Sequence, residues 1–458
     1  MPPDRSAPAP TNARISFGTI LAWGAPVFAL SALLFFVQFF FLKYATDVLL
    51  LPPAAVGVVF ALGRLWDAIS DPIVGIWSDR TRTRFGRRRP WMAAGVGLLA
   101  VCFVGVWWQP AGLGEWGRLL WATAALFAFY GAYTVYQIPH QSLGAELSTD
   151  HHDRSRVFGV QAVFFTVGML LSFGAIQYVN NAASPREAVL LVCGGATVLV
   201  LVFLSIPPAL LRERVEYQGR GAERPLQAMK DVLANPHARL LLVAQFVQLL
   251  GSSVIGILSP FVFQYVLGRT DLIAVLPAVF VLSSMASVPL WVVVSRRIGK
   301  SPAWRIGMLT FGAAIGSFFF IPPDRIGWVA LMLVAAGAGS GCGTAVGPSM
   351  LADVIDWDEL RSGERKEGAY SAAWGFAIKV SNAAVILLTG IGLEAFGFQA
   401  NQEQTETAKL GLRVLFSALP FVMYVAGAWV LGRYALGAAE HAAIREVLDG
   451  RRAGGDAR

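Results

Sequence analysis

Between residues 17 and 436 the chain repeats one pattern, a run of roughly twenty apolar residues followed by a short polar break. Twelve runs are legible, over 17–43, 53–78, 91–109, 118–142, 157–179, 188–210, 240–266, 272–295, 306–322, 327–350, 369–396 and 412–436. Each is long enough to cross about 30 Å of hydrocarbon as an α-helix. The pattern predicts an all-α membrane protein with twelve transmembrane helices. The longest polar break, Arg212 to Arg239, divides them six and six. The expected organisation is a tail at 1–14, a six-helix bundle at 15–211, a central loop at 212–239, a second bundle at 240–436 and a tail at 437–458.

Composition supports the membrane reading. Hydrophobic residues make up 55% of the chain and charged ones 14%, with a mean hydropathy of +0.57, whereas soluble domains carry about 25% charged residues. A net charge of +8 would suit a nucleic-acid binder if it were clustered on a soluble face. Instead most Lys and Arg fall on the two tails and on the loops that follow even-numbered runs. That asymmetry places both termini in the cytoplasm and turns the basic face toward anionic lipid headgroups. Nucleic acid is excluded as a partner. The first fourteen residues are polar and Pro-rich, with no apolar core or cleavage site, so they are expected to be a cytoplasmic tail and not a signal peptide. Cys102, Cys193 and Cys342 all lie inside predicted spans and form neither a disulfide framework nor a metal-ligand spacing. No zinc-protease, nucleophile-elbow or phosphate-loop motif occurs, so an enzyme is not expected. His151-His152 reads as solvated loop.

The halves echo one another. The basic loop Ser78–Trp91 after run two parallels Ser295–Trp304 after run eight, and Pro139–Arg156 after run four parallels Pro348–Arg365 after run ten. A duplicated six-helix unit places repeats in matching positions, as in transporters built from two parallel halves. Within the central break, Pro225–Pro236 carries Leu226, Met229, Val232 and Leu233 at the spacing of a short surface helix, or of a plain linker. Gly and Ala crowd residues 335–347, which suits close helix packing.

Against this apolar background, buried charge stands out. Run two carries Arg64, Asp67, Ser70 and Asp71 at hydrocarbon depth, where one charge costs about 2.5–3.5 kcal/mol on insertion scales. Helical spacing puts Arg64, Asp67 and Asp71 on one face. Arg64 balances one carboxylate, and a cation or a proton would balance the other. The bland alternative is a fixed Arg–Asp pair joining helices. Thr134 in run four adds an oxygen if the two helices meet. Lys379 lies deep in run eleven, placed for a substrate or coupling role or for pairing with an Asp of the first half. Trp374 borders either the same cavity or lipid. The acidic stretch Asp353–Glu359, with Arg365 beyond it, stands opposite the basic loop containing Arg84. Salt bridges between them, joined by Asp79, would form a gate; the alternative is solvated charge. Gating candidates are therefore Asp79, Arg84, Asp353, Asp356, Glu359 and Arg365.

The run Gly63-Arg-Leu-Trp-Asp-Ala-Ile-Ser-Asp-Pro-Ile-Val-Gly75, continuing to Arg84-Phe-Gly-Arg-Arg-Arg-Pro-Trp91, resembles the second-helix signature of the glycoside–pentoside–hexuronide:cation symporters, the melibiose-carrier branch of the major facilitator superfamily. Ala352–Glu359 with Arg365, Glu367-Gly368 and Lys379 resembles that family's tenth loop and eleventh helix, and Trp23-Gly24 and Thr46-Asp47-Val48 fit its first helix. The resemblance implies two six-helix bundles working by alternating access. It implies a cation site formed by Asp67, Asp71, Ser70 and Thr134. Ser70 replaces the asparagine usual in sodium-using members, which leaves sodium and proton both open. It implies a solute site in which Ser31, Gln137 and Gln141 stand where melibiose carriers have two aspartates and a stacking tryptophan, so galactoside specificity is not expected. Tyr133, Trp374 and Lys379 complete the expected substrate lining, and Arg64 the support of the carboxylates.

The sequence thus leads to a secondary transporter of the bacterial inner membrane, a monomer without resident cofactor. It would couple sodium or protons to symport of a sugar, glycoside or related small solute. A lysophospholipid or other amphipath carrier of the same fold is the first alternative, and a non-transporting membrane sensor the second.

Overall fold

A computed structural model describes residues 16–147, 151–211, 230, 232–320, 322, 325–363 and 366–455. Among the described residues, twelve helices are long and apolar enough to span a membrane. They are α1 (Phe17–Asp47), α2 (Pro53–Arg80), α3 (Arg89–Trp107), α4 (Glu115–Gly144), α5 (Arg156–Asn181), α6 (Pro185–Leu210), α7 (Pro236–Tyr265), α8 (Thr270–Ile298), α9 (Lys300–Phe320), α10 (Ile326–Ser362), α11 (Glu367–Ala395) and α12 (Glu406–Leu431). A further helix, α13 (Ala438–Gly455), follows. Twelve crossings return the chain to the face it left. Both ends therefore share one face, here called terminal, opposite the far face.

Helix ends follow local chemistry. The Ser16 side chain caps α1 by accepting from the Thr19 amide at 3.2 Å. Asn235 caps α7 through the amides of His237 and Ala238, so the second half begins at Pro236, ahead of the expected 240. Helix α10 runs past the expected end at 350, because the apolar phase continues through Leu351, Val354 and Ile355, all buried. It stops at Gly363, whose φ of +73° suits a left-handed C-terminal position. Asp353, Asp356 and Glu359 are thus helical, contrary to the loop expected from sequence. Most of the stretch proposed as a surface helix, residues 225–229 and 231, lies outside the described residues, as does Arg365. The segment after 437 is helical too, with Ile444 and Leu448 buried against the bundle.

The halves repeat in detail. Prolines interrupt α2 and α8 at Pro72 and Pro289, and α4 and α10 at Pro139 and Pro348. Each half's sixth helix contains a π turn, at Val200–Leu204 and Val414–Ala418. The glycine-rich stretch of α10 is packing surface. A Cβ on Gly337 would lie 2.3 Å from the Phe280 carbonyl, and one on Gly339 would lie 2.6 Å from the Gly307 carbonyl. Only hydrogen fits there.

Across the halves α2 lies against α11 and α1 against α7. At the far face α2 and α11 nearly touch: a Cβ on Gly390 would meet the Pro53 carbonyl at 2.4 Å. Gly375 and Gly368, on the same stripe of α11 but nearer the terminal face, have nothing within 4 Å of an added Cβ. Gly390→Val is therefore expected to destabilise the closed far face by about 1–3 kcal/mol. Thermal unfolding in detergent should show a lowered midpoint for it and an unchanged one for Gly375→Ala.

Candidate functional site

Helices α2, α4 and α11 converge midway across the bundle. Apolar neighbours surround the polar groups there, so each must find its partner in the protein. Arg64 and Asp67 are almost fully buried, with Nη1 of the first 3.7 Å from Oδ2 of the second. The Arg64 guanidinium stacks over the Tyr130 ring at 4.8 Å and donates to Gln38 Oε1 at 2.5 Å. From the other half, the Lys379 ammonium sits 2.9 Å from Asp67 Oδ2, contacts Asp71 Oδ2, and donates to the Asp67 carbonyl at 3.2 Å. Two cations thus balance two carboxylates.

The opposite edges of the carboxylates meet hydroxyls. Thr134 Oγ1 lies 3.1 Å from Asp67 Oδ1, 3.1 Å from Asp71 Oδ1 and 3.1 Å from Ser70 Oγ. A threonine hydroxyl has one proton, so it can donate to only one carboxylate at a time. Ser70 also lies 3.2 Å from the Asp67 carbonyl. Four side-chain oxygens therefore share two hydroxyl protons, a donor-poor cluster that suits a hard cation or an extra proton. All four residues expected to hold the cation come together here. Thr134→Val removes one oxygen and is expected to weaken cation activation about tenfold, since a hydrogen bond to a charged group is worth about 1.5–3 kcal/mol. Cation-dependent uptake kinetics would measure it.

Exposure rises from this cluster toward the terminal face on α4 and α11, while on α2 Val74 and Ser78, which continue the Asp67 stripe, stay buried. Thr134 is buried, Gln137 half-buried and Gln141 exposed along one stripe of α4. On α2, Asp67 is buried, Asp71 half-buried and Asp79 exposed. On α11, Lys379 is half-buried, and Ala372 and Gly368 are exposed.

The remaining expected substrate residues divide. Tyr133 is buried beside the cluster. Ser31 is sealed between α1 and α5, donating to the Phe28 carbonyl at 3.1 Å and abutting Gly168, so it lines no cavity in this conformation. Trp374 turns toward α10, its ring 3.2 Å from where a Gly347 Cβ would be, while Lys379 faces α2. Trp374 and Lys379 thus meet different neighbours, five residues apart on the helix.

Three of the expected gating charges meet partners within their own half. Asp79 pairs with Arg88 at 3.0 Å and Arg87 at 3.8 Å, within the first half. Asp353 pairs with Lys300 at 2.6 Å, and Asp356 with His441 at 3.0 Å and Arg445 at 3.5 Å, within the second. Arg84 stacks on its neighbour Phe85. The C-terminal helix α13 is thereby docked on the acidic end of α10, a contact no local motif announced.

Several polar groups escaped sequence reading. Gln38 on α1 donates to Asn382 on α11 at 3.2 Å, and Ser253 on α7 donates to the same Asn382 oxygen at 3.0 Å. Arg64 is thus linked to the second half. Trp23 and His140 exchange side-chain-to-carbonyl hydrogen bonds at 3.0 and 2.8 Å between α1 and α4. The available signal was a polar residue within a long apolar run, as at Gln38 and Lys43.

Residues 22–438 match the family described as MFS/sugar transport protein. The glucuronide carrier protein homolog of Escherichia coli is 26% identical, with 89% of this chain and 90% of that one covered. The sodium-dependent lysophosphatidylcholine symporter 1-B of Danio rerio is 24% identical, with 91% and 86% covered. Among solved structures, a D-xylose-proton symporter superposes with a TM-score of 0.66 at 16% identity, over 92% of this chain and 98% of that one. At that identity the likeness is one of fold.

Proposed function

The chain belongs to the MFS/sugar transport family, the glycoside–pentoside–hexuronide symporter-like branch of the major facilitator superfamily, and from that premise we propose that it couples entry of a sugar, glycoside or related solute to a cation held by Asp67 and Asp71. It is a multi-pass plasma-membrane secondary transporter and not an enzyme. One observation carries the finer reading: a lysine ammonium from one half sits between two carboxylates of the other, with two hydroxyls behind them. Lys379 occupies the place a coupling cation would need. Cation arrival and Lys379 departure are then alternatives, and that exchange ties the ion to the relative position of the halves.

In this reading both termini are cytoplasmic, and the conformation is the inward-facing one. The rising exposure toward the terminal face and the close approach of Gly57 and Gly390 at the far face support it. The solute contacts Gln137, Gln141 and Lys379 from that open side. Sodium and proton both fit four oxygens with two acidic members.

The test is uptake into proteoliposomes under an imposed sodium or proton gradient, across neutral sugars, glycosides and uronides. Uptake that responds to neither gradient would sink the coupling. A lysophospholipid carrier is the second reading, favoured by the lysophosphatidylcholine relative and by an apolar groove of about 560 Å³. Trp66, Ile73, Trp77, Leu98 and Phe127 line it, and it reaches Ser70. Uptake of a lysolipid with no response to any sugar would select it.

A further inference from the structure

A cavity of about 500 Å³ opens at the far face, away from the carboxylate cluster. Its walls come from both halves. Lys43 and Asp47 of α1, Asn180, and Arg186 at the start of α6 belong to the first, and Gln264 of α7 and Asn401 to the second. The same residues latch the halves together. The buried Lys43 ammonium pairs with Asp47 and donates to Gln264 Oε1 at 2.6 Å. Tyr265 Oη donates to Asp47 Oδ2 at 2.8 Å, and Asn401 Nδ2 donates to the Asp47 carbonyl at 2.5 Å.

The lining is cationic. Lys43 and Asp47 cancel, leaving Arg186, whose one hydrogen bond among the described residues is a 3.3 Å contact with the Val48 carbonyl. A guanidinium on a cavity wall presents a planar fork that matches a carboxylate. Lys43 has three N–H donors and directs two of them, among the described residues, to Asp47 and Gln264. Amides of Asn180, Gln264 and Asn401 complete a rim able to bind hydroxyls. The volume is within the range of small-molecule sites.

We propose that this cavity binds a small carboxylate bearing hydroxyl groups, and that ligand held there locks the far face shut. The second clause follows from geometry and rests on the alternating-access reading above. A site walled by both halves exists only while they are together, so its ligand favours that state and opposes outward opening. The ligand acts from outside, at a site separate from the solute's path through the carboxylate cluster.

Proteoliposomes holding the full chain, with outside-facing molecules assayed, provide the test. External citrate and gluconate are added during uptake, with glycerol as the uncharged comparison. The expected result is a fall in maximal uptake of about two- to tenfold that excess solute does not restore, as for a ligand that traps one conformation of the cycle. Arg186→Gln should abolish the inhibition and leave basal uptake intact. A binding measurement that needs no transport accompanies it. Citrate should slow labelling of an Asn180→Cys variant by a membrane-impermeant maleimide, and Arg186→Gln should remove that protection. Inhibition that only raises the half-saturation constant would place the anion in the solute path and overturn the proposal. Absence of protection by both anions would overturn the site itself. Protection by the anions without inhibition would overturn the lock. Failure of all gradient-driven uptake, with protection intact, would instead count against the coupling reading.

Discussion

Asp67→Asn and Asp71→Asn are each expected to reduce gradient-driven uptake about 10²- to 10³-fold, because removing one partner of a buried charge network costs about 3–5 kcal/mol. Asparagine keeps the shape and loses the charge, so the helices should still pack. What changes is the balance of Arg64 and Lys379 against two carboxylates. With one carboxylate gone, Arg64 alone neutralises the other, so Lys379 or a coupling cation taking its place is a surplus positive charge. The cation is then rejected. Uptake under sodium and proton gradients, with fluorescence-detected sizing to confirm folding, measures the effect. Gradient-driven uptake surviving in both variants would remove Asp67 and Asp71 from the coupling role.

Lys379→Met is expected to separate binding from turnover. The variant leaves Asp71 with no counter-charge of its own except an incoming cation. Half-saturation by the cation should therefore fall at least about tenfold, with several kcal/mol of unpaired-charge penalty relieved on binding. Release on the inward side should slow for the same reason, since no ammonium displaces the ion. Net uptake drops, while exchange of labelled for unlabelled solute persists. A lysine that merely braced α11 against α2 would, when removed, lower expression or stability and leave the cation half-saturation unchanged. Measuring exchange and cation half-saturation on the same preparation tells the two apart.

These expectations draw on different depths of information. The twelve spans were legible because hydrocarbon tolerates no unpaired backbone groups, so each crossing is written as one long apolar run. Asp67, Asp71 and Arg64 were legible for the complementary reason, that charge in such a run is expensive and rarely accidental. The hidden contacts belong to residues whose partners lie far along the chain. Lys43 meets Gln264, Gln38 meets Asn382, and His441 meets Asp356. Nothing in the spacing of either partner specifies such a meeting. Ser31 is sealed against α5 for a related reason. Position along a helix gives a direction, but whether that direction holds a cavity or another helix depends on neighbours.

The sequence by itself determined that the chain crosses the membrane twelve times in two similar halves and that α2 carries a buried set of opposite charges. Those properties follow from one-dimensional patterns, run length and helical spacing, that the bilayer enforces locally. Only the tertiary structure decided that Lys379 reaches that set from the opposite half, that Asp79, Asp353 and Asp356 meet partners in their own halves, and that the far face is latched through Lys43 and Asp47. Each depends on how helices far apart in the chain lie against one another. That placement is set by contacts between residues hundreds of positions apart, which no local pattern specifies.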